Sequence, residues 1–245
     1  PLPCPYLQGR TERKIVTELT GPDAEALHDK LSRAGFRRSH NIAYSPVCPG
    51  CSACVPIRIV VSQFEANRAQ RKLAARNAHV LVQEMPARAT AEQYALFQRY
   101  QQARHGEGDM AAMGFYDYRA MVEDSPIETR LVTLRGAGGQ LYAACLADRL
   151  DDGWSAVYSF FEPDSKERPG LGTYIILDHI VRAARANLPY VYLGYWVKGS
   201  PRMQYKTRYR PIERLGPSGW QRFEPVEEPA APAASAPVAP GGNKF

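Results

Sequence analysis

The sequence predicts an α+β fold, on the order of segments in its second half and on a change of composition before it. Strand-like runs at 128–134, 141–150 and 154–161 follow one another across turn sequences, which predicts an antiparallel meander. A glycine loop, an apolar helical stretch and a further strand come next, which predicts a strand–helix–strand unit. Ahead of them, from Cys4 to about Met85, short apolar runs mix with Arg-rich stretches and a cluster of cysteines. The expected organisation is a smaller Cys-containing α/β domain over 1–88, a helical connector over 89–127, a C-terminal domain over 128–224, and a disordered Pro/Ala tail over 225–245.

Each element has a local reason. Residues 22–34 read as a helix because Pro22 suits a first turn, Ala26, Leu27 and Leu31 share a face, and Gly35 follows the end. Residues 56–61 alternate and are rich in β-branched side chains, the mark of a strand. Residues 65–78 are helical in propensity and carry Arg68, Arg71, Lys72 and Arg76. Thr90 with Gln93 forms a capping box, and Tyr94, Phe97 and Tyr100 recur behind it at helical spacing toward Arg104. Gly136 to Gly139 and Asp151-Asp152-Gly153 mark the turns of the meander. Residues 173–187 predict a helix and 190–195 a strand.

Composition narrows the function classes. The chain has 245 residues, 44% of them hydrophobic, enough for a packed core. Its longest apolar stretches fall far short of the roughly 20 residues that span a bilayer, so no membrane partner is expected. Pro1-Leu2-Pro3-Cys4 lacks the basic and apolar regions of a secretory signal. Five cysteines, three of them within seven residues, do not suit a disulfide framework, and a reducing cytoplasm is the expected compartment. A net charge of +6 allows a polyanionic partner without demanding one.

Three segments carry chemistry. The first is Cys48, Cys51 and Cys54 at spacing three, with Cys4 as a fourth thiol. Pro49 and Gly50 break the loop so that the thiols can turn toward one centre able to hold zinc or an iron–sulfur cluster; buried, metal-free thiols are the alternative. The second is the loop Arg168-Pro169-Gly170-Leu171-Gly172 before a helix. In transferases of the acetyltransferase (GNAT) fold such a loop holds a pyrophosphate on backbone N–H groups. Here Glu167 stands three residues before Gly170, where a cation or Gln is needed, so coenzyme A is not expected as a ligand. The third is 190–210, where tyrosines and Trp196 alternate with Lys198, Arg202, Lys206, Arg208 and Arg210. Aromatic faces stack on bases while cations meet phosphates, the physics of single-stranded RNA ends. An edge strand packing its tyrosines inward beside a solvated basic loop is the competing reading.

Five ordered motifs resemble the arginyl/leucyl-tRNA–protein transferase family: Cys4-Pro-Tyr-Leu-x-x-Arg10-x-x-Arg13; Tyr44-Ser-Pro-x-Cys-x-x-Cys-x-Ala-Cys-x-Pro-x-Arg58; Arg104-His-x-x-Gly-x-Met110; Ser155-Ala-Val-Tyr-Ser-Phe-Phe-x-Pro-Asp164; and Tyr192-Leu-Gly-Tyr-Trp, six residues, then Met-x-Tyr-Lys206. The resemblance runs from Cys4 to about Trp220, and the bacterial branch, which puts leucine on aspartate or glutamate, is the closer fit. Ser45 stands where Arg is expected, and Ser200 where many relatives carry Cys.

What the resemblance implies is an aminoacyltransferase with a GNAT-like C-terminal domain and no coenzyme A. It would move leucine from charged tRNA to proteins that begin with Asp or Glu and so mark them for degradation. Arginine as the donor, a small-molecule N-acetyltransferase, and a non-catalytic metal-bearing RNA-binding or redox-sensing module are the alternatives. The acceptor α-amine, with a pKa near 7.7–8.0, attacks an activated ester, so positioning supplies much of the rate and no cofactor or covalent cysteine is required. The expected tRNA grip is Tyr195, Trp196, Lys198, Lys206 and Arg208, with Arg168, Gly170 and Gly172 near the phosphates. Tyr158 is the expected oxyanion donor, Asp148 and Glu162 the proton acceptors, and Arg10, Arg13 and Arg58 the acceptor-binding cations. His105 is expected to pack rather than to catalyse.

Overall fold

A computed structural model describes residues 2–106, 108–163 and 170–224. The expected tail over 225–245 and Arg168 lie outside the described residues. In chain order the strands are β1 (Leu2–Pro3), β2 (Thr11–Glu12), β3 (Lys14–Glu18), β4 (Arg37–Ser39), β5 (Ile42–Pro46), β6 (Cys54–Val60), β7 (Leu81–Pro86), β8 (Thr129–Arg135), β9 (Leu141–Leu150), β10 (Gly153–Phe161), β11 (Tyr190–Val197), β12 (Ile212–Gly216) and β13 (Gly219–Phe223). The α-helices are α1 (Ala24–Arg33), α2 (Arg68–Arg76), α3 (Ala91–His105), α4 (Phe115–Glu123) and α5 (Leu171–Arg185). A 3-10 segment spans Pro201–Arg208.

The main sheet has eight strands in the order β13-β12-β6-β11-β10-β9-β8-β7. Every neighbouring pair is antiparallel except β10 and β11, which α5 joins by a crossover. Period-two alternation explains why the sheet is covered on both faces. On one face Val132, Leu134, Ala143 and Cys145 pack with Leu171 and Ile175 of α5. On the other, Leu131, Ala144 and Leu146 pack with Leu96 and Phe97 of α3 and with Tyr118 and Met121 of α4. The antiparallel meander followed by helix and parallel strand is the GNAT-like order the sequence implied. Both halves of the Thr90–Gln93 capping box form, and Asn67 with Gln70 supplies a second box on α2.

Strands β6 and β7, which precede residue 88, are members of this sheet. The cut drawn at 88 therefore runs through one hydrogen-bonded sheet. The residues expected to be a connector, 89–127, instead supply a layer of the core through α3 and α4. What stands apart is a three-stranded sheet, β3-β5-β4, with α1 packed on it through Leu19, Ala24 and Ala43.

A buried ion pair fastens the small sheet to the large one. Arg38 on β4 gives Nε and Nη2 to the two oxygens of Asp148 on β9, each at 2.7 Å. Thr129 of β8 donates to the same carboxylate at 2.9 Å, and His28 of α1 lies 3.6 Å from it. Asp148 is fully buried and Arg38 nearly so. Burial, opposed by the Asp148 charge, holds His28 down at about 4, so its imidazole is neutral and Arg38 is the counter-ion.

Removing one member of such a pair leaves the other charge desolvated. Asp148→Ala should cost about 3–5 kcal/mol in chemical denaturation, whereas the double change Arg38→Met/Asp148→Leu should cost less than either single change. Additive losses would show that the two side chains are not one energetic unit.

Candidate active site

The parallel pair is short. Only Gly153 to Ser155 of β10 pair with Tyr190 to Tyr192 of β11. Beyond that point each strand keeps its other neighbour and bulges, between Ala156 and Tyr158 on β10 and between Tyr192 and Gly194 on β11. The strands part, and backbone groups on their facing edges lose the partners that a closed sheet would give them.

Two cations occupy the opening. Arg37 on β4 donates through Nη1 to Ser155 Oγ at 3.2 Å, and through Nη2 to the carbonyls of Ala156 and Val157 at 2.7 and 3.3 Å. From the far side, Lys206 Nζ donates to the Tyr195 carbonyl at 2.7 Å. Gly194 makes the approach of Arg37 possible: its φ is +73°, and a Cβ there would lie 2.7 Å from Arg37 Nε. Among the described residues neither cation is ion-paired. Lys206 is 8% exposed, and burial, with Arg37 adding to it, pulls its amine down to about 7.

Tyr158 stands beside this opening, on the face covered by α3. Gln101 Nε2 donates to its hydroxyl at 2.5 Å, which leaves the phenol its own proton to give. Burial raises its pKa, so it remains a neutral O–H donor.

The other expected site residues divide. Tyr195 is buried, and its hydroxyl donates to the carbonyls of Gly35 and Tyr44 at 3.0 and 3.2 Å, so it ties β11 to the small sheet instead of offering a face to a base. Trp196 is half-buried against Phe223, with ring centroids 5.1 Å apart. Lys198 and Arg208 are exposed. Gly170 and Gly172 have packing reasons to lack a side chain: a Cβ would lie 2.3 Å from Leu73 Cδ1 at the first and 2.9 Å from the Phe161 ring at the second. They stand at the N-terminus of α5, which has no side-chain cap.

The expected proton acceptors are not free bases. Asp148 is saturated by Arg38 and Thr129 in the core, and Glu162 accepts from Arg99 at 2.9 Å. Arg58 is also committed. Its guanidinium bonds Glu213 at 2.8 Å and Tyr192 at 3.2 Å, and sits 3.4 and 4.3 Å from the ring centroids of Tyr190 and Trp220, which locks β6 to β11 and β12 and leaves no fork for a carboxylate ligand. Arg10 and Arg13 are exposed beside the cysteine loop, where Cys48 Sγ accepts from the Arg13 backbone N–H at 3.3 Å.

The four cysteines of the expected metal site lie near one another. Burial raises the Cys54 thiol to about 11, and Cys4, Cys48 and Cys51 add to the shift, so all four share one neighbourhood. Among the described residues no group of three or more His, Cys, Asp or Glu side chains is arranged as a metal site. Cys145 and His179 resemble a nucleophile–base pair at 3.4 Å, but both lie in the core. Burial drives the thiol up to about 12 and the imidazole down to about 4, so both stay neutral and inert.

Sequence reasoning missed Arg37 and Gln101. Arg37 carried one legible signal: adjacent arginines at 37 and 38 in a strand must point to opposite sides, so one of them has to face into the molecule.

Family models described as arginine-tRNA-protein transferase, N terminus and C terminus, match residues 2–72 and 92–216. The aspartate/glutamate leucyltransferase of Paramagnetospirillum magneticum is 60% identical over 225 residues, 92% of each chain. That of Rhodospirillum rubrum is 58% identical over 224 residues, 91% of each chain. Among solved structures, FemX aligns at 11% identity and a TM-score of 0.43, over 78% of this chain and 65% of its own.

Burial and thiol basicity predict reactivity. Brief alkylation of the native protein at pH 8 should modify the partly exposed cysteines of the loop and spare Cys145, read by peptide mass spectrometry. Cys145 labelled as fast as Cys48 or Cys51 would contradict its placement in the core.

Proposed function

The chain belongs to the arginine-tRNA–protein transferase family, and from that premise we propose that it transfers leucine from leucyl-tRNA to the α-amino group of proteins beginning with Asp or Glu. The added leucine makes the acceptor's new N-terminus a degradation signal. The identity of donor and acceptor rests on relatives that match over nine-tenths of both chains. The observation that carries the location of the reaction is the opening between β10 and β11, where an arginine bonds the parted carbonyls of β10 and a buried lysine that of β11.

The chemistry asks little of the protein. An amine attacks an ester carbonyl, charge collects on the carbonyl oxygen, and the ribose oxygen departs. Arg37, held by three hydrogen bonds to β10, is a preorganised cation for that charge, and Tyr158, on the same strand, is a neutral O–H donor that we assign to help it. Trp196, Lys198, Arg208 and the uncapped N-terminus of α5 are the groups we assign to the tRNA end, as a stacking face, cations and backbone donors. Arg10 and Arg13 are the exposed cations we assign to the acceptor's acidic side chain.

No step needs a resident cofactor or coenzyme A, since the ester is already activated. Among the described residues no helix is long and apolar enough to cross a membrane. We place the reaction in the cytoplasm, where charged tRNA is made.

Incubation with separately labelled leucyl-tRNA and arginyl-tRNA, and a peptide starting with Asp, should transfer label from the first alone. A matched peptide starting with Ala should accept at least tenfold less. Transfer of arginine in place of leucine would change the donor, and transfer of neither would end the proposal.

A further inference from the structure

We propose that Lys206 is the base that takes a proton from the acceptor's α-ammonium at the opening between β10 and β11. This rests on the reading that an α-amine attacks an aminoacyl ester there, and goes beyond it by naming the atom that receives the proton.

Three observations lead to Nζ. The two carboxylates that could have served are committed elsewhere, Asp148 to Arg38 and Glu162 to Arg99. Lys206 lies where the strands part, held by one hydrogen bond to the Tyr195 carbonyl, and a single acceptor leaves most of an ammonium's three donors unmet in a buried place. The charged group that faces it is Arg37 from β4, a like charge; from β11 it meets a backbone carbonyl; and among the described residues no carboxylate pairs with it. Burial and Arg37 both favour the uncharged amine, which can keep its hydrogen bond to Tyr195 and still present a lone pair. The shift to about 7 matches the pH at which a general base works best.

The balance closes. The Nζ lone pair takes one proton from the acceptor's ammonium, and the freed amine pair forms the C–N bond to the ester carbon. The carbonyl π pair moves to oxygen, beside Arg37. On collapse the bond from the carbonyl carbon to the ribose oxygen breaks, and that oxygen leaves with the pair and takes a proton from the zwitterion's nitrogen. An amide and a free ribose hydroxyl result, and Nζ returns its proton to solvent.

Lys206→Arg separates a base from a mere strut, because arginine can still donate to the Tyr195 carbonyl and cannot become neutral. Transfer at saturating substrates should fall about 10²- to 10⁴-fold in both Lys206→Arg and Lys206→Met, with leucyl-tRNA affinity within about twofold of the parent. The parent's kcat should rise with pH through about 7, as Lys206 becomes able to take the proton; the variants should lose that rise and follow the acceptor amine's own value near 7.7–8.0. A readout without activity is the Lys206 side-chain resonance in lysine-labelled protein, assigned by its absence in Lys206→Met, which should titrate near 7. Depressed in the folded state, this amine makes stability climb with pH above 7 toward 10.5, so the parent should gain thermal stability relative to Lys206→Met across that window. A resonance titrating near 10, or Lys206→Arg transferring at the parental rate, would overturn the assignment. A parent that moves no leucine while its Lys206 titrates near 7 would instead refute the transferase reading and leave the neutral amine standing.

Discussion

The buried pair between Arg38 and Asp148 is the constraint on which the working part of the molecule depends. The small sheet has little buried apolar surface with which to dock: β3 is exposed at four of its five positions, and Ala43 is the only buried apolar side chain on β4 and β5. A charge pair that would be weak on the surface becomes directional in the core, because both oxygens of Asp148 and two nitrogens of Arg38 are satisfied only in one register of β4 against β9. Strand alternation carries that register to the next residue. If Arg38 points into the core, Arg37 must point the other way, and the other way is the opening between β10 and β11. The anchor thus sets the position of the site's arginine by one peptide unit.

The opening is a product of irregularity, not of a cavity between domains. Closed parallel pairing would use the carbonyls of β10 and β11 on each other; the two bulges withdraw them, and a guanidinium and an amine take their place. Gly194 belongs to the same device, since its left-handed backbone and missing Cβ admit Arg37 at a distance no other residue would allow. Tyr195 then ties the parted strand to Gly35 and Tyr44, so the small sheet holds the opening from both strands. Cations set among carbonyls without a carboxylate partner gain little stability. They do form a site already charged for an anionic transition state.

Much of the fold was legible because its strands and helices follow strict periods. The meander, the crossover helix and the capped helix at Thr90 lie where alternation, glycine turns and capping residues put them. What escaped are segments whose burial comes from the neighbours they meet and not from their own pattern. Strands β12 and β13 lie in a stretch too polar to announce a sheet, and β6 joins the main sheet across most of the sequence, a pairing no local signal encodes. The site was half legible for a related reason. Arg58, Tyr195 and Lys206 sit in the motifs that carry the family resemblance, yet motif membership does not say whether a side chain faces a ligand or the core. Arg58 and Asp148 turned out to be anchors, while Lys206, expected among surface phosphate cations, lies buried beside Arg37.

Cys145 and Cys54 are disarmed as nucleophiles by the same physics. Cys145 and His179 are close enough to be a dyad, but total burial keeps the thiol protonated and the imidazole neutral, and the raised Cys54 thiol is no better placed to attack. A transferase whose donor is an ester and whose acceptor is an amine has no use for a covalent relay, because both partners already have suitable reactivity. Such a reaction needs alignment, a place for negative charge and a route for one proton. Burial, which disarms the cysteines, has the opposite consequence for Lys206. The desolvation that holds a thiol in its unreactive acid form holds a lysine in its basic one, and a single low-dielectric interior thereby selects amine chemistry over thiol chemistry.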